Sequence, residues 1–131
     1  MKELKPNARL EFTIRLKPVT KKNSHQMRIN HKTGHYYPAP SKTYQQYEKD
    51  ALIFMPLPYR IDVPVNVRGI FYMPTHGIVD LVNLEEALLD VLVKYNVLKD
   101  DNCRIVVSMD GSRVDYDKEN PRTEVIIEYV G

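Results

Sequence analysis

The stretch Leu81–Tyr95 constrains this chain more than any other. Leu84, Leu88, Val91, Leu92 and Tyr95 recur at the helical period and gather on one face. Asp80 stands before the first turn as an N-cap residue, and Asn96 follows the last turn as a C′ residue. A helix with one such apolar stripe must bury it against a second layer.

The rest of the chain reads as the strands of that layer. Arg9–Leu16 alternates: Leu10, Phe12, Ile14 and Leu16 point one way, Arg9, Glu11, Thr13 and Arg15 the other. Val63–Tyr72, Ile105–Met109 and Glu124–Tyr129 are three further strands, with Pro64 at a strand start or edge because it cannot donate to a ladder. Pro18–Ser24 is a polar, basic loop. Gln26–Asn30 and His35–Pro38 form a hairpin turning through Lys32-Thr33-Gly34. Pro40-Ser41 opens another helix, with Ser41 as its cap, and Tyr44, Tyr47, Ala51 and Phe54 face the core until Pro56 and Pro58 stop it. Asp110–Arg122 reads as a long hairpin loop joining the last two strands. The expectation is one α+β domain over residues 1–131: a mixed sheet of about four main strands with two main helices packed on it.

Charge narrows the function. The formal net charge is only +2, yet residues 1–50 hold 11 basic and 4 acidic groups while residues 51–131 hold 8 and 13. A basic half suits an anionic partner, and an acidic half suits metal ions. The apolar runs are too short for a membrane span, and the first residues lack the apolar core of a secretion signal. One cysteine, Cys103, cannot form an internal disulfide, so a reducing cytoplasm is expected. Cys103 reads as a packed residue at a strand start, and His76 as a surface residue in a turn.

Two groups of residues carry chemistry. Asp80 precedes the helix, Asn83, Glu86 and Asp90 share its polar stripe, and Asp100-Asp101-Asn102 forms a turn beyond it. Carboxylates so placed suit a hard divalent cation such as Mg²⁺, which takes oxygen ligands and keeps several waters. Each has a plainer reading too: a cap, a solvated face, a tight turn. Lys21, Lys22, Arg28, Lys32 and Lys42 are interleaved with Asn23, Ser24, His25, Gln26, Tyr36 and Tyr37. Cations among amides and rings suit a nucleic-acid backbone, against the plainer reading of a solvated loop. His25, His31 and His35 match no zinc-ligand spacing.

In order, these pieces resemble the RusA family of Holliday-junction resolvases. Val79-Asp80-Leu81-Val82-Asn83-Leu84, the helix, Val97-Leu98-Lys99-Asp100-Asp101-Asn102 and a strand are similar to the family's Asp-Leu-x-Asn-Leu, helix, Asp-Asp and strand. Val19-Thr20-Lys21-Lys22-Asn23-Ser24 and Pro40-Ser41-Lys42 with Tyr44 and Tyr47 resemble pieces of phage-type members. The resemblance covers residues 10 to 129. It implies a homodimeric, Mg²⁺-dependent endonuclease, with Mn²⁺ as a substitute, that cuts four-way DNA junctions in a bacterial cytoplasm and is often prophage-encoded. Asp80 and Asp101 match the catalytic aspartates, and Asp100 accompanies Asp101.

The chain also departs from the pattern. Val82 stands where the best-studied member has a third aspartate, Glu86 where it has a catalytic lysine, and Gly77 and Val79 where it has basic residues. The reading that follows gives Asp80, Asp100, Asp101 and Glu86 to the metal, with Glu86 replacing the missing ligand. Asn83 orients a ligand or water. Lys21, Lys22, Asn23, Arg28, Lys32 and Lys42 hold DNA. Its rivals are a junction-binding protein that has lost metal competence through Val82, and an interaction domain with no DNA role.

Overall fold

The structure is a computed structural model that describes residues 8–21, 25–40 and 42–131. Lys22, Asn23 and the expected cap Ser41 lie outside the described residues. A five-stranded mixed sheet forms the base. Strand β1 (Arg9–Ile14) pairs antiparallel with β7 (Arg122–Tyr129), and β7 pairs antiparallel with β4 (Val65–Met73). The far side of β4 carries two short parallel strands end to end, β5 (Val106–Ser108) beside its start and β6 (Arg113–Tyr116) beside its finish. The hairpin β2 (His25–Ile29) and β3 (Tyr36–Pro40) is a separate two-stranded sheet. Its turn closes with the Gly34 N–H on the Asn30 carbonyl at 2.7 Å, and Gly34 takes the positive φ that suits glycine there.

Register explains the core. Leu10, Phe12 and Ile14 of β1 stand opposite Ile127, Val125 and Thr123, which stand opposite Val67, Gly69 and Phe71 of β4. The alternation therefore lines up across three strands into one apolar face. Both helices cover it. In α1 (Lys42–Ala51) Tyr44, Tyr47 and Ala51 are buried, and a 3₁₀ turn (Leu52–Phe54) follows. Burial pushes the Tyr47 hydroxyl up to about 12, as befits a core ring rather than a platform for bases. In α2 (Leu81–Lys94) Leu84, Ala87, Leu88, Val91 and Leu92 are buried. A Cβ at Gly69 would stand 2.8 Å from the Phe71 ring and 3.0 Å from Leu88 Cδ2, so glycine lets α2 lie close on β4. The Tyr95 hydroxyl donates to the Glu48 carbonyl at 2.7 Å and ties the two helices together.

The expected α+β class, both helices and the hairpin are present, and Pro64 falls just before β4. The segment 110–122 differs from its reading. It is not a hairpin loop: β5 and β7 lie on opposite sides of β4, and the segment contains the fifth strand, β6. Asn66 redirects the chain. Its Oδ1 accepts the Asp110 N–H at 2.7 Å while its Nδ2 donates to the Asp110 carbonyl at 3.1 Å, which turns β5 out and onward into β6. Cys103 also differs: it is exposed in the turn before β5 rather than packed. The described residues include no helix long and apolar enough to cross a membrane.

Candidate active site

Asp80 is the N-cap of α2. Its extended backbone (φ −92°, ψ 118°) lets Oδ1 accept the Val82 N–H at 3.0 Å, and its carbonyl accepts the Leu84 N–H. The positive end of the helix dipole favours this carboxylate, whose second oxygen takes no part in the cap. The surroundings are unusually apolar for an exposed acid. Val82 is 65% exposed and Ile78 fully exposed. His76 stacks on Tyr116 of β6 with ring centroids 3.8 Å apart, which holds the segment before Asp80 against the edge strand.

Along α2, Asn83 is half-buried and Glu86 exposed. Asp90 is half-buried and pairs with Lys21 at 3.3 Å. Lys21 also lies 5.9 Å from the Tyr44 ring centroid, so one of the expected DNA-contacting lysines joins the loop after β1 to both helices. Beyond α2 the Asp100–Asn102 turn organises itself. Asp100 accepts the Asp101 N–H at 2.8 Å and the Asn102 side-chain N–H at 3.0 Å, and these donors lower its carboxyl from the usual range. Burial, the hydrogen bond and charge of Asp100, and the charge of Asp90 push the Asp101 carboxyl up.

The structure brings Asp100, Asp101 and Asp90 into one electrostatic neighbourhood. The C-terminal end of α2 is pinned to the start of β4. Val97 and Leu98 donate to the Leu92 carbonyl, and Leu98 bridges to Ile61, four residues before that strand. Asp80 follows the finish of β4. Among the described residues no three His, Cys, Asp or Glu side chains are grouped to hold a metal ion. The donor chemistry suits a hard cation, but one chain does not assemble the set Asp80, Asp100, Asp101 and Glu86 around a single point.

The basic residues divide in two. Lys32 is exposed in the hairpin turn, where its N–H donates to Asn30 Oδ1, and Arg28 lies on β2. Tyr36 and Tyr37 of β3 are 69% and 44% exposed, so the arm offers rings as well as charge. Lys42 opens α1 and, with Lys17, borders a groove of about 540 Å³ floored by Leu16, Val19 and Tyr47. Lys17 was missed in the sequence because it reads as the tail of the β1 alternation. The pairing of His76 with Tyr116 was missed too, since forty residues separate them and nothing marks the contact.

Comparison with curated proteins returns no match. A family model described as endodeoxyribonuclease RusA matches residues 16–128, which takes in the basic loop, both helices and every strand of the sheet except β1. With 113 of 131 residues matched, the chain belongs to the RusA endodeoxyribonuclease family.

Proposed function

We propose that this protein is a structure-specific endonuclease that resolves four-way DNA junctions by paired, symmetric phosphodiester hydrolysis. It would act as a homodimer with Mg²⁺, or Mn²⁺ in its place. The observation that carries this reading is the family match across the acidic and basic segments together. RusA enzymes are divalent-metal dependent as a family, and a divalent ion supplies charge neutralisation at the scissile phosphate.

The chain's own residues supply the remaining functions. Lys32 and Arg28 on the hairpin arm and Lys17 and Lys42 beside the groove would pair with phosphates, while Tyr36 and Tyr37 would stack on bases or sugars. Asn83, half-buried in the first turn of α2, would orient a water near Asp80. A two-fold dimer suits a junction, in which two related strands must be cut alike.

Val82 favours one alternative. An exposed apolar side chain one turn before Glu86 adds no ligand, which would suit a protein that holds junctions without cutting them. Incubating the protein with a synthetic junction and a matched linear duplex, in Mg²⁺ and then Mn²⁺, separates the readings. Junction-only nicks support the nuclease. Tight, salt-sensitive junction binding without nicks in either metal supports the binder, and no DNA binding removes both.

A further inference from the structure

We propose that the groove beside α1 is a docking site for an extended acidic peptide of a partner protein, one that carries an apolar side chain between its carboxylates. This goes beyond the junction-nuclease reading and does not depend on it. The groove holds about 540 Å³, with Leu16, Val19 and Tyr47 as its floor and Lys17 and Lys42 at its sides. One wall is the chain that follows β1; the other is the first turns of α1. Leu16 and Val19 are only half-buried, so the fold leaves part of each uncovered. An apolar side chain that settles on them leaves water.

The charge around that floor selects an acidic partner. Lys17 and Lys42 are exposed on opposite walls, and neither has an ion-pair partner among the described residues. Lys21, Lys94 and Lys99, by contrast, each have a carboxylate of the chain itself. No carboxylate lines the groove, and α1 has no acidic residue in its first turn. The groove therefore sets two unpaired cations around an apolar centre. Its complement is a pair of carboxylates around an apolar side chain.

Two features favour a polypeptide over the sugar–phosphate backbone that the same lysines attract. Gln46 Nε2 donates to Asp50 Oδ1 at 2.9 Å, which orients the amide and leaves its Oε1 as an acceptor at the groove. A peptide N–H can donate to that oxygen, whereas a phosphodiester has no donor. Strand β1, which leads into the groove, pairs with β7 on one side and with no described strand on the other. An edge of this kind takes an extended peptide through main-chain hydrogen bonds. Lys17 and Lys42 serve one anionic partner at a time, so a bound peptide competes with DNA for them.

The test uses the whole protein and a fluorescein-labelled peptide, Asp-Glu-Asp-Leu-Glu-Asp, followed by fluorescence polarisation without DNA. A Kd on the order of 10 μM is expected, rising with salt. Replacing the peptide's leucine by serine should weaken binding about tenfold or more, and this change leaves the protein untouched. Lys17→Glu and Lys42→Glu should each weaken it several-fold. The amide resonances that shift on adding peptide should be those of residues 16–19 and 42–47. A serine peptide that binds as well as the leucine peptide, or shifts confined to the hairpin arm, would overturn the inference. An oligothymidylate that shifts the groove resonances at lower concentration than the peptide would assign the groove to nucleic acid and overturn it too. Groove resonances that move with protein concentration alone would assign it to a second copy, with the same consequence. The expected peptide pattern in a protein that cuts no junction would keep the docking site and remove the nuclease reading.

Discussion

Asp80 has two roles that substitution can separate. As an N-cap it satisfies the Val82 N–H at 3.0 Å, and in the proposed site its carboxylate carries chemistry. Asp80→Ala removes both. Losing an exposed Asp cap costs about 1 kcal/mol, which lowers Tm by about 4 °C in a domain of this size. Asp80→Asn keeps a cap of equal rank and loses only the charge at the helix dipole, a few tenths of a kcal/mol, or about 1 °C. Both variants should lose junction cleavage by at least about a hundredfold, the scale of losing a group that acts in the transition state. Thermal melts followed by circular dichroism, with cleavage rates on the same preparations, provide the comparison. If Asp80→Asn melts as low as Asp80→Ala, the side chain does not cap as described. If Asp80→Asn cuts at the wild-type rate, the carboxylate has no catalytic role.

Three further outcomes follow from the packing and charge. Gly69→Ala drives a methyl group into Phe71 and Leu88 and should destabilise by about 1–3 kcal/mol; Leu88→Ala alone should cost about 2–5 kcal/mol. The double variant should lose less than the sum in urea melts, and strict additivity would contradict the contact. Lys17→Ala and Lys42→Ala should each weaken junction binding and reduce the salt slope by about one, so an unchanged slope would take that lysine off the phosphates. The Arg122 guanidinium, 2.8 Å from Asp117, holds that carboxyl below its usual range. A depressed folded pKa means stability that is present above the unfolded pKa of about 4 and lost as pH falls through the folded one. Asp117→Asn should therefore flatten the fall in Tm below pH 4, and parallel profiles for variant and wild type would refute the pairing.

Some of this architecture was legible in residue order and some was not, for physical reasons. Helix α2 declared itself because its burial period and both caps are local: Asp80 caps it, and Asn96 takes the positive φ expected of a C′ residue. Strands β1 and β7 were legible because each has one buried and one solvated face. Strand β6 was not, since all four of its residues are exposed and it therefore lacks a burial rhythm. Its partner is the parallel strand β4, more than forty residues earlier, and Asn66 directs the chain to it through hydrogen bonds that no local pattern announces. The candidate acids were legible one by one, by their order around α2. Their separation was not, because residue spacing does not say that α2 runs back along β4 and carries Asp80 to the opposite end of the sheet from Asp101.

The most direct measurement is the mapping of cuts on a synthetic four-way junction, strand by strand on a denaturing gel, with wild type and Asp80→Asn in Mg²⁺. Paired nicks at symmetric positions in two opposed strands, absent from the linear duplex and from the variant, are the expected result. Nicks of equal rate in junction and duplex, or cuts that survive Asp80→Asn, would contradict the account of this chain as a junction-resolving nuclease built around that aspartate.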